Sequence, residues 1–280
     1  MENSTTQSGA YGLIAGNGAY PGIMARAARK AGETRLIAAA FENETDPALA
    51  NLVEEVEWMR VGQLARLCKF FKSRGVTRAV MVGQIAPKNL FDLRPDFRAL
   101  AVLARTPKRN AESLFGAIAD ELAKDGVELL SAVTYLDDLM PGPGYTAGPP
   151  LKPRQWRDLA YGYEIAKEVS RLDIGQTVVV RNGTVLAVEA FEGTNEAIKR
   201  GGAMGRKESL MVKVSKPGQD MRFDVPVVGR ITLKVAAEAG IRAIGIEAGK
   251  TLLLEKEQVE QDARDLKISL VTLTEETGKL

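Results

Sequence analysis

The stretch Gly12-Leu-Ile-Ala-Gly16-Asn-Gly18-Ala-Tyr-Pro21-Gly22 decides the fold. An apolar run from Tyr11 to Ala15 stops at glycines, and an amphipathic segment, Pro21 to Lys30, begins on a proline, the residue suited to the first position of a helix. Strand, glycine turn and helix follow in that order. Glycines at such a turn let backbone approach a phosphate, and the helix amino end offers unpaired amides with partial positive charge. A purely structural tight turn explains the same residues. The dinucleotide fingerprint is not met, because Pro21 occupies its third glycine position and the candidate ribose-binding acid, Glu42, comes late.

Outward from this stretch the first half repeats the alternation. Arg35 to Ala40, Arg78 to Val82 and Val127 to Val133 read as strands, with helices at Gln63 to Ser73 and Ala111 to Lys124. Such alternation predicts an α/β domain, Rossmann-like with a parallel sheet, over 11–138 after a loose tail, 1–10. Met140-Pro-Gly-Pro-Gly-Tyr-Thr-Ala-Gly-Pro-Pro-Leu-Lys-Pro supports neither helix nor central strand, so 139–154 reads as the interdomain linker or an active-site lid. The remainder, 155–280, predicts a C-terminal mixed α/β domain. It opens with a helix, Trp156 to Arg171, and a hairpin, Thr177 to Arg181 and Thr184 to Ala190, turning at Asn182-Gly183. Helices at 195–200, 231–239 and 255–266 then alternate with strands at 209–214, 243–246, 251–254 and 268–273.

Composition narrows the chemistry. The 280 residues carry 38 Lys+Arg against 36 Asp+Glu, no histidine and one cysteine. Without imidazole there is no Ser-His-Asp triad, no Cys-His pair and no histidine-ligated metal. A net charge of +2 gives no global basic field, so nucleic acid is not expected as a partner. Cys68, in the apolar-periodic run Leu64-Leu67-Cys68-Phe71, reads as a buried apolar group. The amino terminus lacks the pattern of a secretory signal, and no apolar run reaches the length of a bilayer span. A cytoplasmic or peripheral protein is expected.

The charged region between Leu172 and Gly229 is the most informative. Leu172-Asp-Ile-Gly-Gln176, Glu189-Ala-Phe-Glu192-Gly193-Thr194-Asn195 and Lys213-Val-Ser-Lys216-Pro-Gly-Gln-Asp220-Met-Arg222-Phe-Asp224-Val-Pro226 put charges at the ends of elements rather than along solvated helix faces. Lys213, Lys216 and Arg222 suit phosphate oxygens, and carboxylates there suit Mg²⁺ or a positioned water. A surface salt-bridge network is the competing reading. Gly245-Ile-Glu-Ala-Gly249-Lys250-Thr251 is one residue short of a P-loop, and Thr251-Leu-Leu-Leu reads as a strand where a P-loop opens a helix.

Four ordered motifs, Leu13 to Pro21, Leu172 to Gln176, Ala187 to Thr194 and Lys216 to Pro226, resemble the LpxI family of UDP-2,3-diacylglucosamine pyrophosphatases of lipid A synthesis. The resemblance covers nearly the whole chain after the tail. It implies two domains and a Mg²⁺-dependent hydrolase that cleaves the substrate's pyrophosphate to UMP and 2,3-diacylglucosamine 1-phosphate. The family's required aspartate falls on Asp224. Asp224 is then expected to position water, directly or through Mg²⁺, and Glu192 to support the metal, with Lys213, Lys216 and Arg222 stabilising phosphate charge. Gly16, Asn17, Gly18, Gly83, Gln84, Gln176, Gly193 and Thr194 are expected to bind substrate. A diacylated UDP-sugar implies transient contact with the inner-membrane surface, and a homodimer is the base-rate expectation. Two positions depart from the family: Asn195 stands where the motif has an acid, and Asn110-Ala111-Glu112 replaces paired aspartates. A non-catalytic protein that binds the sugar nucleotide or lipid product is the alternative, and a Rossmann-like oxidoreductase a weaker one.

Overall fold

The computed structural model describes residues 9–85, 95–106 and 111–277, without the side chains of 111 and 112. Most of the predicted tail therefore lies outside the described residues, as do the side chains of the Ala111 and Glu112 departure. The chain divides into two compact units, Met1–Leu136 with Asp220–Asp224, and Asp137–Gln219 with Val225–Leu280.

The first unit is built on a parallel sheet. β1 (Ala10–Ala15), β2 (Leu36–Phe41), β3 (Glu55–Met59), β4 (Val76–Val82) and β5 (Glu128–Leu129) lie in the order β3-β2-β1-β4-β5. β1 and β2 are apolar throughout and almost wholly buried, as expected for strands inside a parallel sheet. α1 (Tyr20–Lys30) packs on β1 and β4, and α2 (Leu64–Ser73) on β2, β3 and β4, as the apolar periodicity predicts. Gly12 is required here, because a Cβ would lie 3.1 Å from the Phe71 ring and 2.8 Å from Val76. Cys68 is buried in the same core, as expected.

α3 (Phe97–Arg105) and α4 (Ala111–Lys124) complete the unit's helices among the described residues. β5 is shorter than the predicted 127–133, because after Leu130 the chain leaves the sheet and Ala132 donates to the Met221 carbonyl at 2.7 Å. That bond ties Asp220–Asp224 to this unit. Phe223 seals the attachment by packing on the core, its ring 5.7 Å from Phe115.

The second unit carries a mixed sheet. β6 (Thr146–Ala147), β7 (Thr177–Arg181), β8 (Thr184–Val188), β9 (Ser209–Lys213), β11 (Ile241–Glu247) and β13 (Ser269–Leu273) run in the order β6-β13-β11-β9-β7-β8. β13, β11 and β9 are parallel, and β6, β7 and β8 join antiparallel. The predicted hairpin turns at Asn182 (φ 52°) and Gly183 (φ 68°), the two left-handed residues of a type I′ turn. The Asp158 carboxylate accepts from both turn amides, at 2.9 and 2.8 Å. β10 (Val227–Val228) pairs with β12 (Leu252–Leu253), so the residues after Lys250 form a strand and the P-loop reading falls away.

The helices of this unit are α5 (Pro153–Arg171), α6 (Thr194–Met204), α7 (Arg230–Ala239) and α8 (Lys256–Asp265). The Pro/Gly stretch 139–154, expected as a linker or lid, is bonded into the unit. Tyr145 and Thr272 exchange bonds of 3.1 Å beside β6, and the Thr272 hydroxyl donates to the Gly142 carbonyl at 3.0 Å. The prolines flank Tyr145-Thr-Ala147, so the donors of those three residues remain available for an edge strand.

Candidate functional site

In the first unit β1 and β4 are neighbours whose chains continue to opposite sides of the sheet, the switch point at which open α/β sheets place a crevice beyond their strand ends. The two strands end there in Gly16-Asn17-Gly18 and Gly83-Gln84. Asn17 donates to the Gln84 carbonyl at 2.6 Å and Gln84 returns a bond at 3.2 Å. A Cβ on Gly16 would stand 2.5 Å from the Gln84 carbonyl oxygen, and Gly83, at φ 94°, is 2.8 Å from that of Asn17 by the same measure. Close approach of two backbones thus explains both glycines without a ligand. Gly18 differs, having φ 91° and open space around its Cβ position.

α1 begins just beyond, with no side chain capping its first amides. The acid at this edge is Glu44, 6% exposed, whose carboxylate accepts from the Asn17 amide group at 3.4 Å. Glu42, the residue weighed from the sequence, instead pairs with Arg60 at 3.5 Å on the surface. Two residues of extra turn after β2 separate them, a distinction that spacing alone does not carry.

Arg222 and Asp224 also belong to the first unit. The Arg222 guanidinium grips Asp220 in a fork, Nε–Oδ1 3.0 Å and Nη2–Oδ2 2.6 Å, while its backbone amide donates to the same carboxylate at 3.0 Å. That pairing holds the Asp220 carboxyl below the ordinary carboxylate range and raises the Arg222 guanidinium above its own. Arg222 therefore meets any phosphate as a partly neutralised cation. Asp224 closes the same turn, its amide donating to the Asp220 carbonyl at 3.0 Å, and is half-buried.

In the second unit Gln176, Glu189, Thr194, Lys213 and Lys216 gather at one edge of the sheet. Register produces this: Thr177 pairs with Lys213 across β7 and β9, and β8 ends at Val188 opposite Val178. Lys213 Nζ donates to Thr194 Oγ1 at 2.9 Å, and that hydroxyl donates to Glu189 Oε1 at 2.7 Å. The second Glu189 oxygen is buried without a hydrogen-bond partner. Gly193, at φ 83°, starts α6, so Thr194 sits at the positive end of a helix dipole. Lys216 Nζ reaches Asp173 at 2.6 Å, and the Gln176 carbonyl accepts from Val214 at 3.0 Å. Gly175 leaves no room for a side chain against the Glu189 carbonyl, which accounts for the glycine of the Leu172–Gln176 motif.

Glu192, expected as the metal-supporting acid, lies elsewhere. It is exposed and pairs with Arg200 across the first turns of α6, and its own backbone amide followed by that guanidinium holds its carboxyl below the usual range. The acid linked to Lys213, through the Thr194 hydroxyl, is Glu189, three positions earlier, which was not singled out from the sequence. Both acids lie in one motif, and only the turn closed by Gly193 N–H to the Ala190 carbonyl (3.2 Å) decides between them.

A Mg²⁺ site made by protein carboxylates alone is not supplied by the described residues, among which no group of three His, Cys, Asp or Glu side chains could hold a metal ion. Glu192 pairs with Arg200 at the surface, so to ligate a metal it would have to exchange that guanidinium for the ion. Mg²⁺ is commonly held by one or two carboxylates with substrate phosphates and water completing its shell, and a half-buried aspartate such as Asp224 suits that mode.

These units define a two-part α/β protein, one part Rossmann-like, whose polar chemistry is carboxylate, lysine and backbone amide rather than imidazole or thiolate. Family models for the LpxI N-terminal domain and the LpxI C-terminal domain match residues 10–139 and 142–271. A relative from Caulobacter vibrioides, UDP-2,3-diacylglucosamine pyrophosphatase LpxI, is 30% identical over 266 residues, covering 91% of this chain and 94% of its own. The chain belongs to the LpxI family.

Proposed function

We propose that the chain hydrolyses UDP-2,3-diacylglucosamine, as its relative is named for doing. The observation that carries this is the match to both LpxI domains together with a relative aligned over almost its full length. Water adds to one phosphorus, the bridging P–O bond breaks, and UMP and 2,3-diacylglucosamine 1-phosphate leave. The proposal includes dependence on Mg²⁺, which would neutralise pyrophosphate oxygens and be held by Asp224.

Asp224 is assigned the positioning of water, and Lys213, Lys216 and Arg222 the stabilisation of phosphate charge. Phosphoryl transfer is driven by positioning and electrostatics, so a chain without histidine suits it. The glycine loop of Gly16 to Gly18, the Gly83-Gln84 turn, and Gln176, Gly193 and Thr194 are proposed to hold the substrate. No helix among the described residues is long and apolar enough to cross a membrane. We place the reaction on the cytoplasmic side, with the diacylated substrate drawn from the inner-membrane surface.

The test incubates purified protein with UDP-2,3-diacylglucosamine and Mg²⁺ in detergent, beside EDTA and Asp224→Ala controls, with products read by mass spectrometry. UMP plus the diacylated sugar phosphate, absent in both controls, is the expected result. Tight binding without cleavage, under conditions where the Caulobacter relative turns over, would overturn it and favour a binding protein.

A further inference from the structure

Glu247 ends β11, one residue beyond the Ile246–Lys213 register pair. Its side chain is 12% exposed, and its Oε2 accepts from the Ser215 amide at 2.7 Å and the Ser215 hydroxyl at 2.8 Å. Lys167, from α5, donates to both Glu247 oxygens at 3.0 and 3.1 Å and to the Ser215 carbonyl at 3.0 Å. One ion pair thus holds every polar group of Ser215.

A largely buried ion pair is expensive to desolvate and adds little net stability over apolar packing of equal volume, so stability alone does not account for it. What it immobilises does. Ser215 lies between Lys213, which reaches Thr194, and Lys216, which reaches Asp173. Strand β9 has ended at Lys213, yet the next backbone amides are each tied: Val214 to the Gln176 carbonyl at 3.0 Å, Ser215 to Glu247, and Lys216 to Gln219 Oε1 at 2.6 Å. The middle tie is the one made by a charged side chain.

We propose that Glu247, oriented by Lys167, is a positioning residue: by clamping Ser215 it fixes the backbone from which Lys213 and Lys216 present their ammonium groups to substrate phosphate. The inference rests on the proposed hydrolysis for the identity of that phosphate, and on the Ser215 geometry for the rest. Glu247 touches no reacting atom, so its effect must pass through the lysines.

The experiment is a double-mutant cycle with a labelling readout. Glu247→Gln is expected to lower kcat about 10- to 100-fold, the range for residues that orient a catalytic group, with KM changed far less. In a Lys216→Ala background the same substitution is expected to cost clearly less than in the parent, because one of its two targets is gone. In parallel, reductive methylation followed peptide by peptide is expected to show altered labelling rates at Lys213 and Lys216 in Glu247→Gln, with the exposed Lys30 unchanged. Should Glu247→Gln fail to fold, Ser215→Ala removes one donor from the clamp and is expected to give the same pattern at smaller size. Equal losses in both backgrounds with unchanged labelling would overturn the positioning role while leaving the hydrolysis standing. Altered labelling in a protein that cleaves no UDP-2,3-diacylglucosamine would support the clamp and overturn the reaction instead.

Discussion

Lys213 Nζ lies 2.9 Å from Thr194 Oγ1, and this contact joins a lysine at the end of β9 to the first residue of α6. Because the Thr194 proton goes to Glu189 at 2.7 Å, its oxygen presents lone pairs to the ammonium. Glu189 thereby orients Lys213 at one remove, while Glu192 is bound up with Arg200.

Glu189→Ala is accordingly expected to lower kcat/KM about 10- to 100-fold, as loss of a residue that orients a catalytic group does, and Glu192→Ala to lower it less. Steady-state kinetics on both variants check the order. A larger loss in Glu192→Ala would return the role to the acid that the sequence pattern suggested.

The glycine loop allows ligand contact to be separated from fold. Gly16→Ala forces a Cβ to within 2.5 Å of the Gln84 carbonyl and is expected to cost about 1–3 kcal/mol of stability in urea unfolding. Gly18→Ala meets nothing within 4 Å and pays only for its φ of 91°, about 1–2 kcal/mol. If Gly18 approaches substrate, its variant loses kcat/KM by more than a stability change of that size explains. Unchanged kcat/KM would leave it a turn residue.

How far the sequence was legible follows from the range of the interactions involved. The strand, turn and helix at Gly12 to Pro21 and the Asn182-Gly183 hairpin are set by neighbours in the chain, and the structure repeats them. β3, Glu55-Val-Glu-Trp-Met59, has no apolar run, because as an edge strand it buries only Met59 fully; it was not anticipated. Asp220–Asp224 joins the first unit through Phe223 on Phe115, a contact more than a hundred residues apart that no local pattern announces. The family motifs include Lys216 and Asp224, and the charged stretch before them Lys213, but neither points to Glu247, since the carboxylate that holds Ser215 comes from a strand in another part of the chain.

Cys68 gives a test of the core. Burial, first among its causes, pushes its thiol up to about 11, so the neutral form persists through neutral and mildly alkaline pH. Native protein at about pH 8 is expected to react with a thiol reagent only as fast as it opens, and fully in denaturant. Prompt labelling of the native protein would contradict the burial.

Acid should unfold the protein through its arginine-paired carboxylates. Hydrogen bonds from Arg98 to Asp125 and from Arg230 to Asp262 lower the aspartate pKa in the folded chain. A depressed folded pKa contributes stability that is present above the unfolded value, about 3.9, and lost as pH falls through the folded one. The urea midpoint is therefore expected to be flat from pH 7 to about pH 5 and to fall below about pH 4. Arg98→Ala should shrink that fall, since it removes the largest cause of the lowered Asp125 pKa and leaves only the weaker pull of Lys72.

Asn195 offers the last test, because the resemblance to the LpxI family implies an acid there and the structure puts the residue exposed in the first turn of α6. A carboxylate at a helix amino end interacts favourably with the dipole, by about 0.3–1 kcal/mol at an exposed site. Asn195→Asp should therefore raise the thermal midpoint slightly whatever the residue does in catalysis. Its effect on turnover is independent of that gain. Asn195 is two residues from Gly193 and adjacent to Thr194, the hydroxyl that contacts Lys213, so a new negative charge there enters the same electrostatic neighbourhood. If the acid of the family motif takes part in binding Mg²⁺, the variant should need less Mg²⁺ for half-maximal rate than the parent chain. An unchanged Mg²⁺ requirement alongside the stability gain would show that the motif acid serves the helix, and that Asn195 is a tolerated substitution rather than a lost ligand.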